Sequence, residues 1–300
     1  MPKTLKIGSD SFEFVSTRVY DSVSVYRGKD TFMRMGPREL VRKELELHRE
    51  LLSKEFPVPE IVKEGETEGR YFYIEKSVGT SLLTYAFQDD CLKKGQISMR
   101  NFSTFLNLTR RFADAQLSTV TSGRPGSDFR QGIYLPYIMT EFPELKDSIK
   151  EAFDMLNDRV SVFPTVLTHG DLNPHNFLKE GIIDFGSAFR GYAGYDVVGN
   201  IYHTYLFPKT GDYENMRSYE FTSQQFITYF KAIDEIYEKH GLPKISDYQN
   251  DFLLAKTIWS AARMIYRPKM QKWRFDLLKR LTLDYLRGKS ILETMKTFPS

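Results

Sequence analysis

The sequence predicts an α+β chain in two lobes: an N-terminal five-stranded antiparallel sheet with one helix, then a mainly helical C-terminal lobe. Three observations carry this. Short β-branched and aromatic runs crowd the first 78 residues, around a single helical period. Helical periods dominate from Gly79 onward. Two polar turns, 169–176 and 184–186, interrupt those helices next to short apolar runs. With 300 residues, 41% of them hydrophobic and 14% aromatic, the chain can bury a sizeable core.

The elements follow in order. Strands are expected near 12–16, 23–26 and 31–35, separated by Asp21-Ser22 and Arg27-Gly28-Lys29-Asp30 turns. From 38 to 54 the period becomes helical, with Leu40, Leu47 and Leu51 on one stripe and Val41 and His48 at its edge. Pro57-Val58-Pro59 stops that helix, since proline restrains itself and the residue before it. Strands near 60–63 and 71–74 complete the sheet, and Gly79 marks the boundary between lobes 1–78 and 79–300. Helices are expected at 102–117, 141–156, 221–237, 251–266 and 275–286. Residues 119–137, with two prolines and three glycines, read as a loop. Residues 165–167 and 182–183 read as short strands lining a cleft. Phe177-Leu178, Lys179-Glu180-Gly181 and Ile182-Ile183 form a hairpin pattern that would bring Asn176 and Asp184 to the same end.

Composition excludes several classes. One cysteine, Cys91, cannot build a disulfide framework within the chain. The start of the sequence shows no secretory signal, and no run approaches the roughly 20 apolar residues needed to cross a bilayer. The expectation is a cytoplasmic protein without a membrane partner. A net charge of +3 does not call for nucleic acid. Charge is uneven, however: residues 251–300 hold eleven Lys/Arg against four Asp/Glu, whereas 201–250 hold five against seven.

The chemistry concentrates in His169-Gly170-Asp171-Leu172-Asn173-Pro174-His175-Asn176 and Asp184-Phe185-Gly186. Asp171 stands five residues before Asn176, the spacing at which a kinase catalytic loop sets its base and a metal-binding amide. Asn176 and Asp184 offer oxygen ligands suited to Mg²⁺. A carboxylate at Asp171 can accept a hydrogen bond from a substrate hydroxyl and orient it for attack on phosphorus.

These two motifs resemble the signature of the aminoglycoside phosphotransferase/choline kinase family, small-molecule kinases with a protein-kinase-like fold. The resemblance implies ATP and Mg²⁺, with Asp171 as catalytic base and Asn176 and Asp184 as metal ligands. It implies structural roles for His169 and for Asp196, whose counterpart accepts hydrogen bonds from the catalytic-loop backbone. Gly170, where protein kinases carry arginine, favours this family over them. A basic residue on the third predicted strand should contact the phosphates; Arg34 stands where lysine is usual, a departure that keeps the charge. Its expected partner is Glu44, which shares the apolar helix stripe, whereas Glu46 falls on the polar face. Ser22 and Ser24 fill the nucleotide-loop position without a Gly-x-Gly-x-x-Gly. The hinge expected to meet adenine through its backbone spans 75–78, including Glu75, Ser77 and Val78.

The predicted activity is transfer of the γ-phosphate of ATP to a small-molecule hydroxyl. Alternatives are a catalytically weak nucleotide-binding regulator, a protein kinase and a metal-dependent hydrolase. The acceptor stays open. Asp234 and Glu235 would suit polycationic aminoglycosides, and Tyr192, Tyr202, Trp259, Tyr266 and Trp273 would suit a choline-like cation. Arg263, Arg267, Lys269, Lys272 and Arg274 point to an anionic or neutral acceptor. Oligomeric state is not legible.

Overall fold

The computed structural model describes residues 3–18, 22–122, 126–209, 214–263 and 268–299. The chain divides into two compact units. One is Met1–Leu82 together with Phe177–Gly186; the other is Leu83–Asn176 together with Ser187–Ser300.

The first unit is built on β1 (Thr4–Ile7), β2 (Asp10–Thr17), β3 (Ser24–Arg27), β4 (Thr31–Gly36), β5 (Ile61–Thr67) and β6 (Arg70–Lys76), with α1 (Arg38–Ser53) between β4 and β5. The strands pair antiparallel in the order β1-β2-β3-β4-β6-β5. The sheet thus has six strands where five were expected. The added one, β1, is only four residues long. Leu5 and Ile7 point inward, Thr4 and Lys6 point out, and Gly8 at φ +65° turns the chain into β2.

Period-two alternation sorts the sheet into two apolar faces. Leu5, Ile7, Phe12, Tyr26, Met33, Met35, Phe72 and Ile74 pack on one. Val23, Tyr71 and Tyr73 pack with Val41 and Leu45 of α1 on the other. The register Met33–Ile74, Arg34–Tyr73 and Met35–Phe72 therefore sets Arg34 on the side facing α1. The helix is turned from its expected phase: Val41, Leu45, His48 and Leu51 are buried, while Leu40 is exposed.

Phe177–Gly186 belongs to this unit through backbone pairing. Phe177 and Ile182 form a single β-bridge, and the Leu178 N–H donates to Gly181 O at 2.9 Å. The Glu180 N–H donates to Val78 O at 3.0 Å and the Ile182 N–H to Pro57 O at 2.7 Å. The strand expected at 182–183 is reduced to that bridge.

The second unit contains α2 (Leu83–Lys94), α3 (Met99–Leu117), α4 (Gly126–Gly132), α5 (Leu135–Glu141), α6 (Lys146–Val160), β7 (Thr165–Thr168), β8 (Phe189–Tyr192), α7 (Tyr195–Ile201), α8 (Ser223–Lys239), α9 (Gln249–Ala262), α10 (Pro268–Leu286) and α11 (Ile291–Thr297). The loop expected at 119–137 instead holds α4 and the start of α5. Gly126 and Gly132 bound α4, and Pro136 sits in the first turn of α5, where a missing N–H costs nothing. The partner of β7 is β8, paired Thr165–Tyr192 through Thr168–Phe189. Helix α9 is buried on every side from Asp251 to Ala261 and packs against α5, α6, α7, α10 and α11. Among the described residues no helix is long and apolar enough to cross a membrane.

Candidate active site

In the second unit β7 delivers the chain to His169, and the loop that follows is held from below by Asp196. The His169 N–H donates to Asp196 Oδ2 at 2.8 Å and the Gly170 N–H to Asp196 Oδ1 at 3.0 Å. Gln116 Nε2 also donates to Asp196 Oδ2 at 2.8 Å and to Leu167 O at 3.1 Å. Asp196 is fully buried. Burial raises its pKa, opposed by His169 and Lys256 and by these hydrogen bonds. The His169 ring is also fully buried, near Phe112.

The loop then organises itself. Asn173 Nδ2 donates to both Asp171 O (2.8 Å) and Asp171 Oδ1 (2.9 Å), and Asn173 Oδ1 accepts from the His175 N–H at 2.9 Å. Asn176 Nδ2 donates to Asp171 O at 2.9 Å. That bond commits the amide nitrogen inward and leaves Asn176 Oδ1 without a hydrogen-bond partner among the described residues. Asp171 Oδ2 is likewise left without one. Two side-chain oxygens left open five residues apart are what a base and a metal ligand require.

Lys256, a residue the sequence reading did not single out, completes the loop's support. Its Nζ donates to Gly170 O at 2.7 Å from inside α9 and lies 3.8 Å from the centroid of the Trp259 ring. Burial pulls its pKa down to about 8; Asp171 and Asp196 oppose the fall, and Arg263 and Arg274 add to it. Only the apolar setting of an isolated lysine on a buried helix hinted at it. Gly199 makes room: a Cβ there would press on the Lys256 stem at 3.0–3.1 Å.

In the first unit Arg34 is caged by carboxylates. Nη1 lies 3.0 Å from Glu44 Oε1 and Nε 3.3 Å from Glu75 Oε1. Glu44 also binds Arg18 Nη2 at 2.6 Å and the Tyr73 hydroxyl at 3.2 Å, while Glu75 Oε2 lies 3.5 Å from His48 Nδ1. Burial would lower the Arg34 pKa, but Glu75, Tyr73, Glu44 and Asp184 together raise it well above its ordinary value. Asp184 is thus within electrostatic reach of Arg34. It adopts φ +67°, a left-handed conformation uncommon outside glycine, on a segment where Phe185 packs edge-on against Phe56. Asn176 in one unit and Asp184 in the other each offer a side-chain oxygen, the ligand type a hard divalent cation takes.

Other expected residues fall as follows. Ser22 has φ +57°, and its carbonyl accepts from Arg70 Nη2 at 3.2 Å. Ser24 is fully buried with its hydroxyl 3.0 Å from Thr17 Oγ1, so Ser22 is the exposed serine of the pair. Asp21, Tyr266 and Arg267 lie outside the described residues. In the hinge, Glu75 turns its side chain to Arg34. The Ser77 N–H donates to Asp30 O at 2.9 Å, and Val78 O accepts from Glu180.

Asp234 is buried and accepts the Ser246 N–H at 3.0 Å, while Glu235 lines a groove between α3 and α8 with Arg110, Arg111 and Lys239. Tyr192 and Tyr202 are buried and hydrogen-bonded to Asn157 and Gln249. Trp273 Nε1 donates to Pro299 O. Arg274 is buried on the carbonyls of Ser260 and Leu206; Lys269 and Lys272 are exposed.

Comparison with known proteins sets this arrangement in context. No curated protein matches the chain by sequence. Among solved structures, a thermostable mutant of an aminoglycoside phosphotransferase, in ternary complex with AMP-PNP and hygromycin B, superposes with a TM-score of 0.54 at 16% identity. It covers 92% of this chain and 95% of its own. A choline/ethanolamine kinase family protein from Mesorhizobium loti gives 0.53 at 14% identity, covering 90% and 87%. A Plasmodium vivax ethanolamine kinase gives 0.50 at 15%, covering 95% and 82%. The fold is protein-kinase-like. The model of the phosphotransferase enzyme (APH) family matches residues 21–215, and the chain belongs to that family.

Proposed function

We propose that the protein transfers the γ-phosphate of ATP to the hydroxyl of a small molecule. The observation that carries this reading is the Asn176 amide bond to Asp171 O, which leaves Asp171 Oδ2 and Asn176 Oδ1 without hydrogen-bond partners among the described residues on one braced loop. Nucleotide binding is assigned to the unit holding Arg34 and the 75–78 hinge, and acceptor binding to the unit holding Asp171.

Asp171 accepts a hydrogen bond from the acceptor hydroxyl and takes its proton as the oxygen bonds to the γ-phosphorus and the bond to the β–γ bridging oxygen breaks. Arg34, held between Glu44 and Glu75, places a permanent charge for the phosphates. Ser22 serves the nucleotide together with the Ser77 carbonyl and the Val78 N–H, since the Ser77 N–H and the Val78 carbonyl are engaged by Asp30 and Glu180. Mg²⁺ would be held by Asn176 and Asp184, where it would neutralise phosphate charge. The protein's own contribution is chiefly positioning and fixed charge.

Asp171→Ala should abolish phosphorylated product while ATP still binds with near-wild-type affinity, measured by calorimetry alongside product assay. Wild-type turnover in that variant would remove Asp171 from the mechanism. Loss of binding together with turnover would show that the substitution had damaged the fold.

A further inference from the structure

The acceptor side of the Asp171 loop carries an electrostatic signature that narrows the substrate. At the end of α9, the Arg263 guanidinium is exposed, donates to Ser187 Oγ at 3.0 Å and lies 5.1 Å from the Trp259 ring centroid. Among the described residues no carboxylate pairs with it. Ser187 in turn abuts the catalytic loop: a Cβ on Gly170 would run into the Ser187 carbonyl oxygen. One step along the chain from Gly170 stands Asp171. Lys256 and Tyr195 each lie within electrostatic reach of both Asp171 and Arg263.

Around this loop the groups that would receive a cationic acceptor are already engaged. The Trp259 ring, the natural wall for a quaternary ammonium, already has Lys256 Nζ at 3.8 Å and Arg263 Cζ at 5.1 Å. The carboxylate nearest in role, Asp196, is buried beneath the loop, and Asp234 is buried on a backbone amide. A cation approaching Asp171 would meet two positive charges.

We propose that Arg263 recognises the acceptor, and that the acceptor is a small alcohol bearing an oxyanion, a carboxylate or a phosphate. A planar guanidinium with a neutral hydroxyl as its hydrogen-bond partner can turn its remaining donors to such a group in a fork. The proposal rests on the phosphotransferase reading above.

Magnesium-dependent ADP release is measured for the wild-type protein with glycerol, glycerate, glycerol 3-phosphate and 2-amino-1,3-propanediol, and with water alone. An anionic alcohol should exceed glycerol in kcat/KM by roughly 10- to 100-fold, and the amino alcohol should fall below it. Comparing glycerate with glycerol 3-phosphate tells carboxylate from phosphate. In Arg263→Ala the anionic-to-neutral ratio should fall towards one, mainly through KM, and Arg263→Lys should restore part of it. ADP release without an anionic preference, or a preference that survives Arg263→Ala, overturns the acceptor assignment alone. Absence of ADP release with every alcohol and with water overturns the phosphotransferase reading itself.

Discussion

Gly170 shows how a single missing side chain shapes the 169–176 loop. Its φ is +78°, a region L-residues avoid, and the place a Cβ would take is filled by the Ser187 carbonyl. Its N–H and C=O are both engaged, by Asp196 and Lys256. The glycine read from the sequence as a family marker is therefore a steric requirement of this loop. Gly170→Ala should cost about 1–2 kcal/mol from backbone strain alone, and more from the collision. Urea denaturation should show the loss, with activity falling further than the remaining folded fraction explains. An unchanged midpoint would contradict the geometry.

The pairing of Arg34 with Glu44 was legible because helical phase separates Glu44 from Glu46. Glu75 as a second partner, and Arg18 on Glu44, were not. They depend on the β4–β6 register and on side-chain reach across the sheet, which no local pattern encodes.

At the scale of elements, α1, α3, α8 and α9 follow the expected periods closely, whereas α6 begins later than expected and α10 begins earlier. Helix α2 and the short helices in glycine-rich sequence were not anticipated. α4 and α5 escaped because glycine and proline at the edge of a short helix read the same as in a loop. β1 escaped because four residues carry only two inward positions. The α2–α3 corner shows what local sequence does support. Asp90 accepts from the Ser98 N–H at 2.9 Å, Asn101 Nδ2 at 2.6 Å and Lys94 Nζ at 2.8 Å, while Ser98 caps α3. Hydrogen bonds to Lys94 and Ser98 hold its carboxyl well below the usual range, against the opposing effect of burial. Asp90→Ala should destabilise by roughly 1.5–3 kcal/mol, read as a lower denaturation midpoint. Because the folded pKa is depressed, the Asp90 contribution is full above the ordinary carboxylate pKa and fades as pH falls below it. A variant equal to wild type at pH 7 would show that the corner is held by other contacts.

For the whole molecule, the split into units follows long-range pairing that the sequence conceals. The hairpin carrying Asp184 joins the sheet unit through amides on Val78 and Pro57, although its neighbours in sequence belong to the other unit. Buried bases then tie stability to pH. Lys256 has a folded pKa of about 8, below its unfolded value, so the unfolded chain binds more protons above pH 8. Burial likewise lowers His203, aided by His175, Lys256 and Arg274. Its contribution is lost as pH falls below the ordinary histidine range. The Tm difference between wild type and Lys256→Met should therefore move in favour of wild type from pH 7.5 to 9.5. A constant difference would show that Lys256 keeps its proton in the fold across this range, its pKa not depressed.

In the proposed reaction phosphate passes from ATP to an alcohol by way of Asp171. Phosphorus NMR of wild type and Asp171→Ala, each with ATP, Mg²⁺ and the oxyanion-bearing alcohols, tests it most directly. In the wild type a phosphate-ester resonance should grow as the γ-phosphate of ATP disappears, and neither change should occur in the variant. A wild-type spectrum in which ATP remains intact, or an ester formed equally by Asp171→Ala, would contradict it.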